Sequence, residues 1–150
     1  MAGRGSQQSR ILHSDSGSTG SYAVVENVTN IGGPNGQSPV VDLTDLLSTG
    51  KESTPGLPDY GQITLDINWR GATEQVALYD MFSTSADAEY FKIAMPTASA
   101  ATTFDTLTFT ASVIGCTFGL PVDGKQSVQI TLKTSGAVTL AQNVALASLA

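Results

Sequence analysis

The chain has 150 residues, enough for one domain with its own core, and 41% of them are hydrophobic. Only 13% are charged and the net charge is −6, so the chain lacks the basic surplus that a direct grip on nucleic acid requires. A single cysteine, Cys116, excludes an internal disulfide, and no apolar run approaches the ~20 residues of a membrane-spanning helix.

Residues 1–21 are rich in Gly, Ser, Gln and Arg, with Ile11–His13 as the apolar interruption. Such a segment buries too little surface to offset its ordering entropy, so it reads as a flexible N-terminal arm. Its opening, "MAGRGSQQSR", has no apolar core of a secretory signal. "SYAVVENVTNI" reads as a first strand, and "NIGGPNGQSP" breaks it with turn residues. "VVDLTDL" is a short second extended piece. From Thr44 to Tyr60 there is no sustained apolar periodicity, and Pro55, Pro58, Gly50 and Gly56 interrupt the chain. A structureless stretch of this length is uncommon in a small domain unless it is functional.

"QITLDINW" alternates strictly, with Ile63, Leu65, Ile67 and Trp69 on one face and Gln62, Thr64, Asp66 and Asn68 on the other. This is the pattern of a half-buried antiparallel strand. The period then changes. "GATEQVALYDMFSTS" predicts a short helix over about residues 72–84, with Thr73 able to cap it and Leu78, Met81 and Phe82 on its apolar side. "EYFKIAMP" returns to alternation, "TASAATTFD" is a linker, and "TLTFTASVIG" alternates again. "GLPVDGKQ" reads as a hairpin tip leading into "SVQITLKTSG". The uncharged "AVTLAQNVALASLA" is too apolar for a free tail and is expected to pack on the domain or on a neighbour.

The predicted class is therefore mainly β: an antiparallel β-sandwich or half-barrel with one flanking α-helix and a long inter-strand loop. The expected division is an arm at 1–21, a β-domain at 22–141 with its loop at 44–60, and a C-terminal tail at 142–150.

No reactive constellation stands out. His13, the sole histidine, falls in the arm, where no scaffold would hold it for nucleophilic catalysis. Asp42, Asp45 and Asp59 lack calcium-loop spacing, and there is no His or Cys pair for a metal. Neither "GRG" nor "IGG" has the strand-turn-helix context of a phosphate loop. Neither catalytic residues nor a metal or cofactor is expected. Cys116 reads as a small buried hydrophobe, and Trp69 as a core or barrel-end residue, with a binding platform as the alternative.

Three features in order carry a family resemblance: "VVDLTDL" with the downstream "KESTPGLPDYGQITLDINW", the short helix followed by "FKIAMP", and the Thr-rich hairpin ending in "QITLKTSG". From about Tyr22 to Leu140 the chain resembles the major tail tube proteins of long-tailed phages with non-contractile tails, the lambda-like tail tube family, to which gene-transfer-agent and secretion-system tube proteins are related. The resemblance implies hexameric rings stacked into a virion tail tube, assembled in the host cytoplasm. DNA would pass through the lumen during ejection without sequence-specific binding and without a membrane role. Tape measure, tail tip and tail terminator proteins are the implied partners. On this reading Leu46, Leu47, Pro55 and Leu57 anchor one ring to the next, and Lys51 and Glu52 supply pairing charges. Thr106, Thr108, Thr110, Gln129, Thr131 and Lys133 are candidates for the lumen, although alternation leaves open which polar face points inward. The alternatives are a gene-transfer-agent or secretion-type tube, or a free β-sandwich binding module of a virion.

Overall fold

The computed structural model describes residues 5–17, 19–98 and 102–149. Residues 1–4 and 18 of the expected arm, 99–101 of the linker and 150 of the tail lie outside the described residues. In chain order the elements are β1 (Arg10–Ser14), β2 (Ala23–Val24), β3 (Val28–Gly32), β4 (Val40–Asp42), β5 (Ser53–Pro55), β6 (Gln62–Asn68), α1 (Thr73–Ser83), β7 (Glu89–Pro96), β8 (Thr103–Gly119) and β9 (Ser127–Ala145). A single 3₁₀ turn, Leu146–Ser148, follows β9.

Alternation places Ile63, Leu65 and Ile67 of β6 beside Val128, Ile130 and Leu132 of β9, and all six are buried. Each such side chain contributes about 1.5–3 kcal/mol by leaving water. Phe91 and Ile93 of β7 and Phe109, Ala111 and Val113 of β8 extend the same core. The seven strands β2-β1-β7-β8-β9-β6-β3 form one antiparallel sheet, while β4 and β5 pair only with each other. The sheet rolls until β1 comes into contact with β3, near its opposite edge. The roll depends on the two long strands, whose bulges near Phe104, Thr108 and Val113 bend the β8–β9 ladder. An open cleft of about 530 Å³ between edge strand β3 and the internal strands β7 and β8 is lined in part by Val28, Ile31, Ile93, Met95 and Leu107.

Four expectations meet a different structure. First, Arg10–Ser14 of the expected flexible arm form β1, an internal strand between β2 and β7. Ile11 and Leu12, buried on opposite faces, supply the burial that composition averaged over 21 residues conceals. Second, "SYAVVENVTNI" is two strands at opposite edges of the sheet. Asn27, at φ 60°, turns the chain between them, a left-handed conformation that Asn tolerates. Third, β9 continues through Ala145, so a tail boundary at residue 142 would cut a strand. Fourth, the helix buries Gln75, Leu78 and Met81, and leaves Phe82 partly exposed.

Gln75 also starts the helix, whereas Thr73 is merely its first residue. The Gln75 carboxamide oxygen accepts the Arg70 N–H at 2.9 Å, and its NH₂ group donates to the Glu26 and Asn68 carbonyls at 2.9 and 3.1 Å. One fully buried amide thus satisfies three backbone groups from two segments, which offsets the cost of burying it. Opposite the main core, Leu12, Tyr22, Ala94, Phe104 and Leu149 form a second small cluster. The Lys92 ammonium lies 4.1 Å from the Tyr22 ring centre, and burial pushes the Lys92 pKa down and the Tyr22 pKa up.

Candidate assembly surfaces

The segment expected as a loop at 44–60 holds β5, and with β4 it forms a hairpin standing off the body. Its register pairs Val40 with Pro55 and Asp42 with Ser53. A core does not hold it, since Leu46, Leu47 and Leu57 are 104%, 91% and 88% exposed. Local polar contacts hold it instead. The Asp42 carboxylate accepts the Thr44 N–H at 2.9 Å, and the Asp45 carboxylate accepts the Leu47 N–H at 2.9 Å and the Ser48 hydroxyl at 3.1 Å. The Thr44 hydroxyl accepts the Glu52 N–H at 2.8 Å across the hairpin. The Asp42–Thr44 and Asp45–Leu47 bonds are Asx turns, which set backbone direction without burial, and the Thr44–Glu52 bond ties the two sides of the hairpin together. The Thr44 contacts hold the Asp42 carboxyl below its ordinary pKa, and the Leu47 N–H does the same for Asp45.

The hairpin therefore presents Leu46 and Leu47 outward on a fixed turn. Pro55 lies in β5, and Lys51 and Glu52 are exposed beside it. The repeated Asp of "DLTDLLS" carries a signal for this wiring, because an Asp two residues before a needed N–H is a turn former.

The six polar strand residues do not share one environment. Thr106 is 2% exposed, on the face that also carries the second cluster. Thr108 and Thr110 are half-buried, and the Thr110 hydroxyl donates to the Ser135 carbonyl at 2.5 Å. Gln129, Thr131 and Lys133 instead continue the polar face of β6. Gln129 donates to Asp66 at 3.2 Å, Asn30 of β3 donates to the other Asp66 oxygen at 3.3 Å, and Thr131 pairs with Thr64. Lys133 bridges to Asp59 at 2.9 Å, a contact that lowers the Asp59 pKa. Asp66 is the hub of this face, and the alternation of β6 had already placed it there.

His13 is buried beneath the helix. Its Nδ1 lies 2.8 Å from Glu74 of α1, its Nε2 contacts Glu89 of β7, and its ring is 5.1 Å from Phe91. The two carboxylates engage opposite ring nitrogens, so they do not converge on a common point, and no nitrogen remains for a substrate. Among the described residues no group of three or more His, Cys, Asp and Glu could hold a metal ion. No helix among them is long and apolar enough to cross a membrane. Cys116, expected as a buried hydrophobe, is half-buried, and that burial raises its pKa, which favours the protonated thiol.

A further apolar surface was not legible in the alternation. Phe118, near the end of β8, meets Trp69 edge-on at 5.2 Å and Tyr79 of α1 at 6.0 Å. Beyond it, in the β8–β9 turn, Leu120 is 69% and Val122 100% exposed.

No protein-family model matches the chain, and no curated protein matches it. Solved structures do match in fold. The tail of an empty gene transfer agent particle, refined with C6 symmetry, aligns with TM-score 0.68 at 14% identity, over 88% of this chain and 94% of that one. The SPP1 tail tube aligns with TM-score 0.70 at 18% identity, over 95% and 81%. The sheath-tube complex of an extracellular contractile injection system, PVC, aligns with TM-score 0.70 at 16% identity, over 93% and 92%. At these identities the likeness is one of fold: this chain has the mainly β, antiparallel architecture found in tail tube structures.

Proposed function

We propose that this protein is the structural subunit of a tail tube, forming hexameric rings that stack and whose lumen conducts DNA at genome ejection. The observation that carries the reading is the β4–β5 hairpin: a fixed, leucine-tipped projection that contributes nothing to the core of its own subunit. A second observation supports ring closure. β6 pairs with β9 only as far as Lys133, so Ser135–Ala145 has a sheet partner on one side alone among the described residues. That stretch has no charge and no proline, the features that normally protect an open edge. Pairing it with a neighbour around a closed ring would remove the liability.

On this reading the hairpin residues Leu46, Leu47, Lys51, Glu52, Pro55 and Leu57 join successive rings. The Asp66–Gln129–Thr131–Lys133 face is the better lumen candidate, being the more open of the two polar faces. The subunit is structural and not catalytic, it resides in the virion tail, and it meets tape measure, tip and terminator proteins in assembly. The contractile injection system match, equal in TM-score to the SPP1 tail tube, keeps an injection-type or gene-transfer tube as the second reading. The test is deletion of Ser48–Leu57 followed by negative-stain microscopy. A folded subunit that forms rings but no stacks is expected, and full-length tubes from the deletion protein would refute the proposal.

A further inference from the structure

Resting on the stacking role of the hairpin, we infer that its docking site on the next copy is the apolar end formed by Phe118, Leu120 and Val122, flanked by Arg70 and Lys125. Strand polarity separates the two surfaces. β6 begins at Gln62, beside the hairpin base where Gln37 pairs with Asp59, and ends at Asn68 beside the β8–β9 turn, where Trp69 N–H donates to Gln126. Its seven residues span about 20 Å, so the base of the hairpin and the β8–β9 turn lie at opposite ends of the body. Surfaces at opposite ends of one subunit make a heterologous, head-to-tail contact, the kind that repeats along an axis.

Chemistry matches the two ends. Leu46 and Leu47 are apolar knobs on a turn that is already ordered, so docking sacrifices little conformational freedom. The opposite end offers a wall of Phe118 braced by Trp69 and Tyr79, with Leu120 and Val122 exposed in front of it. Charges are complementary as well. Asp42, Asp45 and Glu52 outnumber Lys51 on the hairpin, whereas Arg70 and Lys125 outnumber Asp123 at the turn. Among the described residues neither Arg70 nor Lys125 has an ion-pair partner within the subunit. Opposite charges around an apolar contact fix register and suppress wrong orientations.

Two single-cysteine proteins test the contact, L46C and V122C, each in a Cys116→Ser background. Mixed, assembled and mildly oxidised, they should give a disulfide-linked dimer that neither gives alone, and a protein carrying both cysteines should give a ladder. In a separate arm, R70E with K125E should reduce stacking at least tenfold while rings persist, and E52K should restore part of it. Tubes that form normally without a 46–122 cross-link would overturn the docking site. If deletion of Ser48–Leu57 abolishes stacking in those conditions, the role of the hairpin survives and only its receiving face is wrong. If the deletion protein still stacks, both fall.

Discussion

The rolled sheet and the β4–β5 hairpin are ordered by different physics. In the body, buried aliphatic and aromatic side chains supply the stability, and polar groups are admitted only when fully bonded, as Gln75 is. In the hairpin nothing apolar is buried, and carboxylates and hydroxyls bonded to nearby N–H groups fix the turn. The body therefore resists change at its apolar positions. The hairpin tolerates apolar change and depends on its acids. Its exposed leucines form the apolar surface on which the proposed stacking contact rests.

Substitutions can break or sharpen this contrast. The largest effect is expected for Phe91→Ala, since Phe91 is fully buried and stacks on Phe109 at 5.9 Å. It should lower unfolding free energy by about 3–5 kcal/mol, read from the urea midpoint. Gln75→Ala should cost about 2–3 kcal/mol in the same assay, because it strands three backbone groups on two segments. His13→Ala removes the link from β1 to α1 and β7, with an expected loss of about 2 kcal/mol. Hydrogen exchange at Ile11 and Leu12 should accelerate before that of β8 or β9, and uniform exchange would contradict a local role for His13.

Leu46→Ser with Leu47→Ser should change subunit stability by no more than about 0.5 kcal/mol, and yet prevent stacking as seen by microscopy. A large stability loss would mean that the hairpin packs on its own body. The smallest effect is in pH. Asp42 and Asp45 are held below the ordinary 3.8, so their contribution is present above that pH and lost only as pH falls through the lower folded values. Carboxyl titration by NMR should show both midpoints below 3.8, with the Leu47 amide signal moving alongside Asp45. An Asp45 midpoint at or above 3.8 would remove the turn from the explanation.

Period-two alternation alone located β6, β7 and the cores of β8 and β9, because a strand with one buried face must repeat every second residue. The same reasoning lost β1, whose buried residues occupy both faces inside a polar stretch, and merged β2 with β3, because Asn27 does not announce its backbone angle. Of the assembly surfaces, the hairpin was legible as an anomaly: sparse leucines, prolines and acids that no core could use. How it is ordered was not, since Asx turns depend on which N–H each carboxylate reaches.

The amino-acid sequence by itself determined the mainly β class, the single helix and a stretch from Thr44 to Tyr60 without the periodicity of a core element. Those follow from periodicity and composition, which act along the chain. Only the tertiary structure decided that β1 is internal, that the polar strand residues divide into two environments, and that the base of the hairpin and the Phe118–Val122 turn stand at opposite ends. Those depend on contacts between residues far apart in sequence, and so on how the sheet rolls.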